Sequence, residues 1–170
     1  MEVRENTIAI LVNNKPDVMA RIAGTFSGKG FNIETIAVNT MEDPKFSKII
    51  LTTWGNKETI MKIEKQLNRM VDVLKVDDLT GRDAVRREMV LLRVKLAPDN
   101  EEALKKTVET YRGKVVSEEK DYRIIEITGE KEEIERALTE FKSLGMDDFS
   151  RTGTVALARY NNKSEDKGGA

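Results

Sequence analysis

The chain has 170 residues, with 29 Lys and Arg against 30 Asp and Glu, for a net charge of −1. Its length predicts one or two small domains, and the balanced charge argues against a nucleic-acid-binding protein, which would carry a basic excess. The chain contains neither Cys nor His, which excludes disulfides, thiol nucleophiles, classical zinc sites and imidazole acid–base catalysis.

No apolar run reaches the length of about 18 residues that a membrane-spanning helix needs. No signal peptide precedes the first apolar segment. We therefore expect a cytoplasmic protein with no membrane partner.

The first half of the chain alternates strand and helix patterns. An apolar run at 8–12 leads into Asn14, Lys15 and Pro16, a strand-to-helix turn, because Pro fits the first turn of a helix. The following apolar residues recur at helical spacing. Predicted strands lie at 6–13, 31–41, 46–54 and 71–76, and predicted helices at 16–29 and 57–70. This β-α-β-β-α-β order is the ferredoxin-like arrangement.

The second half repeats the same order. Predicted strands lie at 89–96, 114–119, 122–128 and 147–159, and predicted helices at 101–112 and 130–144. The sequence thus predicts an α+β fold of tandem ferredoxin-like units, antiparallel sheets with helices on one face, over residues 4–80 and 86–160. Residues 161–170 are rich in Gly, Ser and charge, and we expect them to be a disordered tail.

A four-stranded sheet with helices on one face leaves its other face bare. Such a face would expose apolar positions of every strand. Two sheets can cover each other, or their edge strands can pair across a two-fold axis. We therefore expect at least a homodimer.

The stretch 13–34 resembles the start of the small, regulatory subunit of acetolactate synthase (acetohydroxyacid synthase), whose first half is an ACT domain. Asp17 stands where that family usually has Gly. Two further segments are similar to the family: the run 62–73, which contains IEKQL and VDV, and Ser150-Arg151-Thr152-Gly153 together with Arg87-Glu88. The matching positions of the first stretch are Asn14, Arg21, Gly24, Phe26, Lys29, Gly30, Phe31, Asn32, Ile33 and Glu34.

The resemblance, which covers about residues 6–159, implies a regulatory subunit without catalytic residues. Its partner would be the large subunit of acetolactate synthase, which carries thiamine diphosphate, FAD and magnesium. That transferase condenses two pyruvates to acetolactate and CO2 in valine, leucine and isoleucine biosynthesis. The small subunit would stimulate it and confer allosteric feedback control by branched-chain amino acids. No cofactor or metal is expected on this chain.

The first strand-to-helix turn is the candidate effector site. Backbone N–H groups at a helix start suit a small carboxylate. In the ACT arrangement, the first strand-to-helix turn of one subunit and the start of the second strand of its partner would meet around a valine-like effector. The alternative is that Asn14 only caps the helix and Asn32 only turns the chain. The candidate residues are Asn14, Pro16, Asp17, Val18, Asn32 and Ile33.

Asp17 places a negative charge beside the site for the effector's carboxylate. Two such charges about 5 Å apart repel by ~3 kcal/mol at an effective dielectric near 20. Either Asp17 points outward and helps to cap the helix, or the site binds its effector weakly. We hypothesise that inhibition by valine is weak or absent, which a micromolar constant in a calorimetric titration would contradict.

Two residues of the first helix, Arg21 and Phe26, are candidate contacts with the large subunit. Arg21 has the alternative of being an ordinary exposed helical side chain. Two other functions remain open: a free-standing ACT-type amino-acid sensor that regulates another enzyme, and a small enzyme that uses Lys and carboxylates. A pull-down with the large subunit separates the first, and pyruvate turnover without a partner would reveal the second.

Overall fold

The structure, a computed structural model, describes residues 2–159. The predicted tail at 161–170 lies outside the described residues. The first half contains β1 (Arg4–Asn13), α1 (Val18–Gly28), β2 (Thr35–Thr40), β3 (Phe46–Gly55), α2 (Lys57–Leu67) and β4 (Val73–Asp78). The second half contains β5 (Ala84–Lys95), α3 (Glu101–Thr110), β6 (Lys114–Glu118), β7 (Tyr122–Gly129), α4 (Lys131–Ser143), β8 (Met146–Arg151) and β9 (Val155–Ala158).

The strands form two antiparallel sheets with equivalent topology. The first has the order β2-β3-β1-β4, and the second has the order β6-β7-β5-β8, with β9 also paired to β5. The twofold β-α-β-β-α-β order confirms the predicted ferredoxin-like fold class.

Each sheet packs its helices on one face. In the first sheet, residues that face the core alternate along each strand with residues of the other face, as strand geometry requires. The core-facing residues are Ile8, Ile10, Val12, Ile49 and Leu51. In the second sheet they are Val90, Leu92, Val94, Ile125 and Ile127. No helix within residues 2–159 has the length and apolarity to cross a membrane. The buried helix residues are Val18, Ile22, Phe26, Ile60, Ile63 and Leu67 in the first core, and Leu104, Ile134, Ala137 and Phe141 in the second.

The face of the first sheet opposite its helices is partly covered. Ala9 and Ile50 lie on this face, and both are buried in a small cluster with Leu79 and Ala156. The prediction that this face would be bare is therefore wrong at its centre. Coverage comes from the chain itself, which weakens the argument for a dimer from an exposed sheet.

The chain divides into two compact units. Within residues 2–159, the first unit comprises 2–85 together with 156–159, and the second comprises Arg86–Val155. The sequence had placed all residues from 86 to 160 in one domain. In the structure, the described residues after Val155 group with the first unit instead.

Three predicted strands differ most from the observed ones. One of them, β5, begins at Ala84 rather than at residue 89. Strand β2 begins at Thr35, because Phe31 and Ile33 before it pack against the helix-side core rather than joining the sheet. The predicted strand 147–159 is divided into β8 and β9. The intervening Thr154 donates its hydroxyl to the buried Glu88 carboxylate at 2.6 Å, which fixes the chain where the two strands separate.

Candidate functional site

The turn between β1 and α1 is fastened on one side by Asn14. Its backbone N–H donates to the carbonyl of Lys45 at 2.7 Å, and its side-chain Nδ2 donates to the carbonyl of Pro44 at 2.9 Å. Asn14 therefore ties this turn to the turn that precedes β3. It does not cap α1, whose N-cap position is Asp17.

Asp72 fastens the other side of the turn. Its carboxylate accepts hydrogen bonds from Lys15 Nζ at 2.7 Å, from Asn13 Nδ2 at 3.0 Å and from the Arg21 guanidinium. Its backbone carbonyl also accepts from the N–H of Asn13 at 2.9 Å. One buried side chain thus holds the end of β1, the turn and the second turn of α1 together.

These three donors favour the charged form of Asp72. Hydrogen bonds from Lys15, then Arg21, then Asn13 hold the pKa of the carboxyl far below its usual range, while burial acts in the opposite direction. The group stays ionised at every physiological pH, so the fastening of the turn is permanent under these conditions.

The sequence left two possibilities for Asp17: it points outward and caps the helix, or it weakens the site. The structure shows that Asp17 points outward. Its side chain is 65% exposed and forms no capping hydrogen bond, so the prediction that it helps to cap the helix is wrong. Its carboxylate lies 3.0 Å from Arg21 Nε, an i,i+4 ion pair. The positive charge of Arg21, which is shared with Asp72, reduces the negative potential that Asp17 places beside the helix start.

The start of α1 presents donors that its own turns do not use. The first i→i−4 bond of the helix runs from the N–H of Arg21 to the carbonyl of Asp17, and the N–H of Val18 donates to the carbonyl of Lys15 at 3.3 Å. The N–H groups of Met19 and Ala20 precede the first helical bond, where a helix lacks internal acceptors. Such a terminus can bind a carboxylate beside exposed Pro16.

The other two candidate residues lie far from this turn within one chain. Asn32 accepts at its carbonyl from the Thr53 hydroxyl, whereas the turn lies beside Phe46 at the opposite end of β3. The seven residue steps between Phe46 and Thr53 correspond to about 23 Å at ~3.3 Å per residue. Ile33 is partly buried against the first core, and the Asn32 side chain bonds to Glu34 at 2.7 Å.

Three candidate residues have roles different from those expected. Phe26 is only 2% exposed and packs edge-on to Phe31, so its prediction as a contact with another subunit is wrong. The Val18 side chain is also buried in the core, which leaves only its backbone near the turn. Arg21 is part-exposed, but its guanidinium is occupied by Asp72 and Asp17.

Asp72 and Lys15 also belong to this site, although neither was predicted from the sequence. Asp72 lies 51 positions after Arg21, so no local spacing links them. The available signal was an acidic residue between Val71 and Val73, in an apolar strand pattern where an unpaired carboxylate would be costly. A buried carboxylate at a strand start requires cationic partners, and Lys15 and Arg21 are both on the facing turn and helix.

This fold and turn define a tandem ferredoxin-like protein of the ACT class. A family model described as an AHAS small subunit-like ACT domain matches residues 8–75, and one described as the small subunit of acetolactate synthase matches residues 87–160. The chain belongs to the family of acetolactate synthase small subunits.

Relatives along the whole chain support this assignment. The probable acetolactate synthase small subunit of Archaeoglobus fulgidus is 35% identical, covering 94% of this chain and 99% of that protein. The Aquifex aeolicus small subunit is 36% identical over 98% of this chain and 87% of its own length. The crystal structure of the acetolactate synthase small subunit from Thermotoga maritima has a TM-score of 0.85 at 36% identity, covering 93% of this chain and 99% of that one.

Proposed function

We propose that this chain is the regulatory subunit of an acetolactate synthase. It binds the large catalytic subunit, stimulates its condensation of two pyruvates, and lowers that activity when a branched-chain amino acid binds to the first unit. Thiamine diphosphate, FAD and magnesium belong to the large subunit. The chemistry of this chain is binding and conformational coupling rather than catalysis.

The observation that carries this proposal is the geometry of the β1–α1 turn. Asn14 and Asp72 hold the turn from two sides, which presents the start of α1 with its free N–H donors to solvent. A preorganised turn binds a small ligand without the entropic cost of ordering a loop. The effector's carboxylate would accept from the N–H groups of Met19 and Ala20.

A second copy of the chain would complete the site. Asn32 and Ile33 cannot reach the turn of their own chain across about 23 Å of sheet. They lie directly before β2, the edge strand of the first sheet, where a second copy can approach. A homodimer would thus place Asn32 and Ile33 of one copy against the turn of the other.

This composite geometry gives feedback a physical route. An effector that touches both copies stabilises the dimer arrangement that brings its two halves together. If the large subunit binds that arrangement less well than the alternative, the two binding events oppose each other by the same coupling free energy.

Reconstitution with the large subunit tests the function. We expect acetolactate formation from pyruvate to rise when this chain is added. Because the charge of Asp17 weakens the site, we expect valine, leucine or isoleucine to reduce the stimulated rate only at millimolar concentrations, in keeping with weak inhibition by valine. The Asn14→Ala variant should stimulate as the natural chain does and lose the response to the amino acid. Stimulation without any amino-acid response up to 10 mM, in both chains, would contradict the feedback part of the proposal, and no stimulation would contradict all of it.

A further inference from the structure

The second unit contains a cleft that the site above does not use. It has a volume of about 270 Å³ and lies between α3 and the sheet edge formed by β6 and β7. Ile125 lies in the core beneath the helices, and its partner Val115 therefore shares the helix-facing side of the sheet. Glu118 pairs with Arg123 at the other end of β6. The apolar floor consists of Leu96, Leu104, Val108, Val115 and Ile125.

The two units differ in the connection between their first helix and the strand that follows it. There, α1 and β2 are joined by residues 29–34, and Phe31 of this connection packs edge-on to Phe26 at 6.4 Å between ring centroids. In the second unit, residues 111–113 alone join α3 to β6. Ile22 and Phe26 of α1 are four residues apart on the buried face, and Leu104 and Val108 occupy that face of α3.

Charged side chains of alternating sign line the helical rim of the cleft. Glu101, Lys105 and Glu109 follow each other at steps of four along α3, so they lie on one side of the helix. All three are exposed, and none forms an ion pair with another residue of the described range 2–159. On the opposite rim, Arg123 and Glu118 neutralise each other in an ion pair of 2.5 Å.

We propose that this cleft binds a small aliphatic α-amino acid. Lys105 would pair with the ligand's carboxylate and Glu101 or Glu109 with its ammonium group, while the aliphatic side chain enters the apolar floor. The ligand's two opposite charges match the alternating charges of the rim. This site is separate from the β1–α1 turn of the first unit and does not depend on it.

The size of the cleft restricts the ligand. Ligand pockets have volumes from ~300 Å³ upward, so the cleft lies just below this range and is too small for nucleotides and larger cofactors. At ~30 Å³ per water, its volume corresponds to about nine waters, which is comparable to an amino acid with a branched side chain. A longer aliphatic acid would extend beyond the floor, and glycine would leave it empty.

Methyl NMR on the full chain tests the proposal, with leucine, isoleucine and valine methyl groups labelled. Leucine as the probe should shift the methyl signals of Leu104, Val108, Val115 and Ile125 and saturate below about 10 mM. Three control compounds each lack one group: glycine lacks the aliphatic chain, isocaproate the ammonium and isopentylamine the carboxylate. Each should bind with an affinity at least tenfold lower, judged from the same signals.

Two variants and a matched control sharpen the test. Val115→Phe should fill the cleft and abolish the shifts, and its position on an exposed edge strand tolerates a larger β-forming residue. Lys105→Gln should lower the affinity for leucine about tenfold, because the charge that pairs with its carboxylate is lost. Lys106→Gln, which is exposed on the same helix outside the cleft, should leave the affinity unchanged.

The outcomes separate this site from the first-unit site. No shift of the cleft methyls at 10 mM leucine, or equal shifts with isocaproate, would overturn the proposal. Shifts confined to Val18 and Ile33 would also overturn it, while supporting the effector site of the first unit. An equal loss of affinity in Lys105→Gln and Lys106→Gln would overturn the assigned role of Lys105.

Discussion

The two units have the same topology but treat one equivalent backbone position differently. Before β4, the carbonyl of Asp72 accepts from the N–H of Asn13, and before β8, the carbonyl of Gly145 accepts from the N–H of Lys95. In the first unit this position carries the carboxylate that binds the β1–α1 turn from the side. In the second unit it carries no side chain, and Gly145 adopts a φ of +92°, which favours Gly.

The second unit closes its own strand-to-helix turn from within. The Asn100 side chain accepts from the N–H of Ala97 and donates to the carbonyls of Lys95 and Leu144, each at 2.9 Å. The first turn is held by neighbours on either side and leaves its helix start open. Two units with the same fold therefore need not contain the same binding site. Whether the N–H groups at the start of the helix stay free depends on where a few polar side chains bind.

The largest effect is expected where the second unit buries its own carboxylate. Glu88 is 2% exposed and is bonded by the Arg151 guanidinium and the Thr154 hydroxyl. Arg151→Met would leave a buried charge without its cation and should lower the free energy of unfolding by about 3 kcal/mol, measured by urea denaturation. The double variant with Glu88→Gln should regain part of the loss. Equal stability of the single and double variants would show that the pair is not coupled.

Asp72→Asn should loosen the first unit without removing its fold. The substitution keeps the shape but removes the charge that binds Lys15 and Arg21, so thermal unfolding should occur several degrees lower. The response of the stimulated activity to an amino acid should be lost even at temperatures where the variant is fully folded, because the turn is no longer preorganised. Asp77→Asn, on the adjoining strand β4 in a more exposed pair with Lys75, should change neither quantity measurably.

Asp17→Gly should strengthen binding at the first turn. The outward carboxylate still repels an anionic ligand, although Arg21 compensates part of its charge. We expect valine to bind about tenfold more tightly, in keeping with a repulsion below the ~3 kcal/mol of an uncompensated pair. Calorimetric titration of both chains measures the change, with Asp99→Gly, an exposed position just before α3 of the second unit, as the control. Unchanged or weaker binding would assign Asp17 a favourable role.

The smallest expected effect is the change with pH in the stability that Asp72 contributes. Because the folded state lowers the pKa of Asp72, its contribution to stability is present above the ordinary carboxyl pKa and is lost as the pH falls toward the folded value. The difference in Tm between the natural chain and Asp72→Asn should hold from pH 7 to 5 and shrink below about pH 4. A difference that grows on acidification would contradict the assignment.

The sequence predicted the fold well and the site only in part. The apolar periodicities around Ile8, Ile22 and Ile63 are local signals, so they located strands and helices with small errors at their ends. Coverage of Ile50 by Ala156 involves residues more than 100 positions apart and left no local signal. For the same reason the turn at Asn14 was found, whereas its attachment to Asp72 was not.

Feedback through a composite site is the central claim, and mixed variants test it most directly. Asn14→Ala and Asn32→Ala should each abolish valine binding in calorimetry. Co-expression of the two chains should restore binding at about a quarter of the sites, because a random mixed dimer carries one intact site. A mixture that binds no better than either variant alone, or an Asn32→Ala chain that binds like the natural one, would contradict the account.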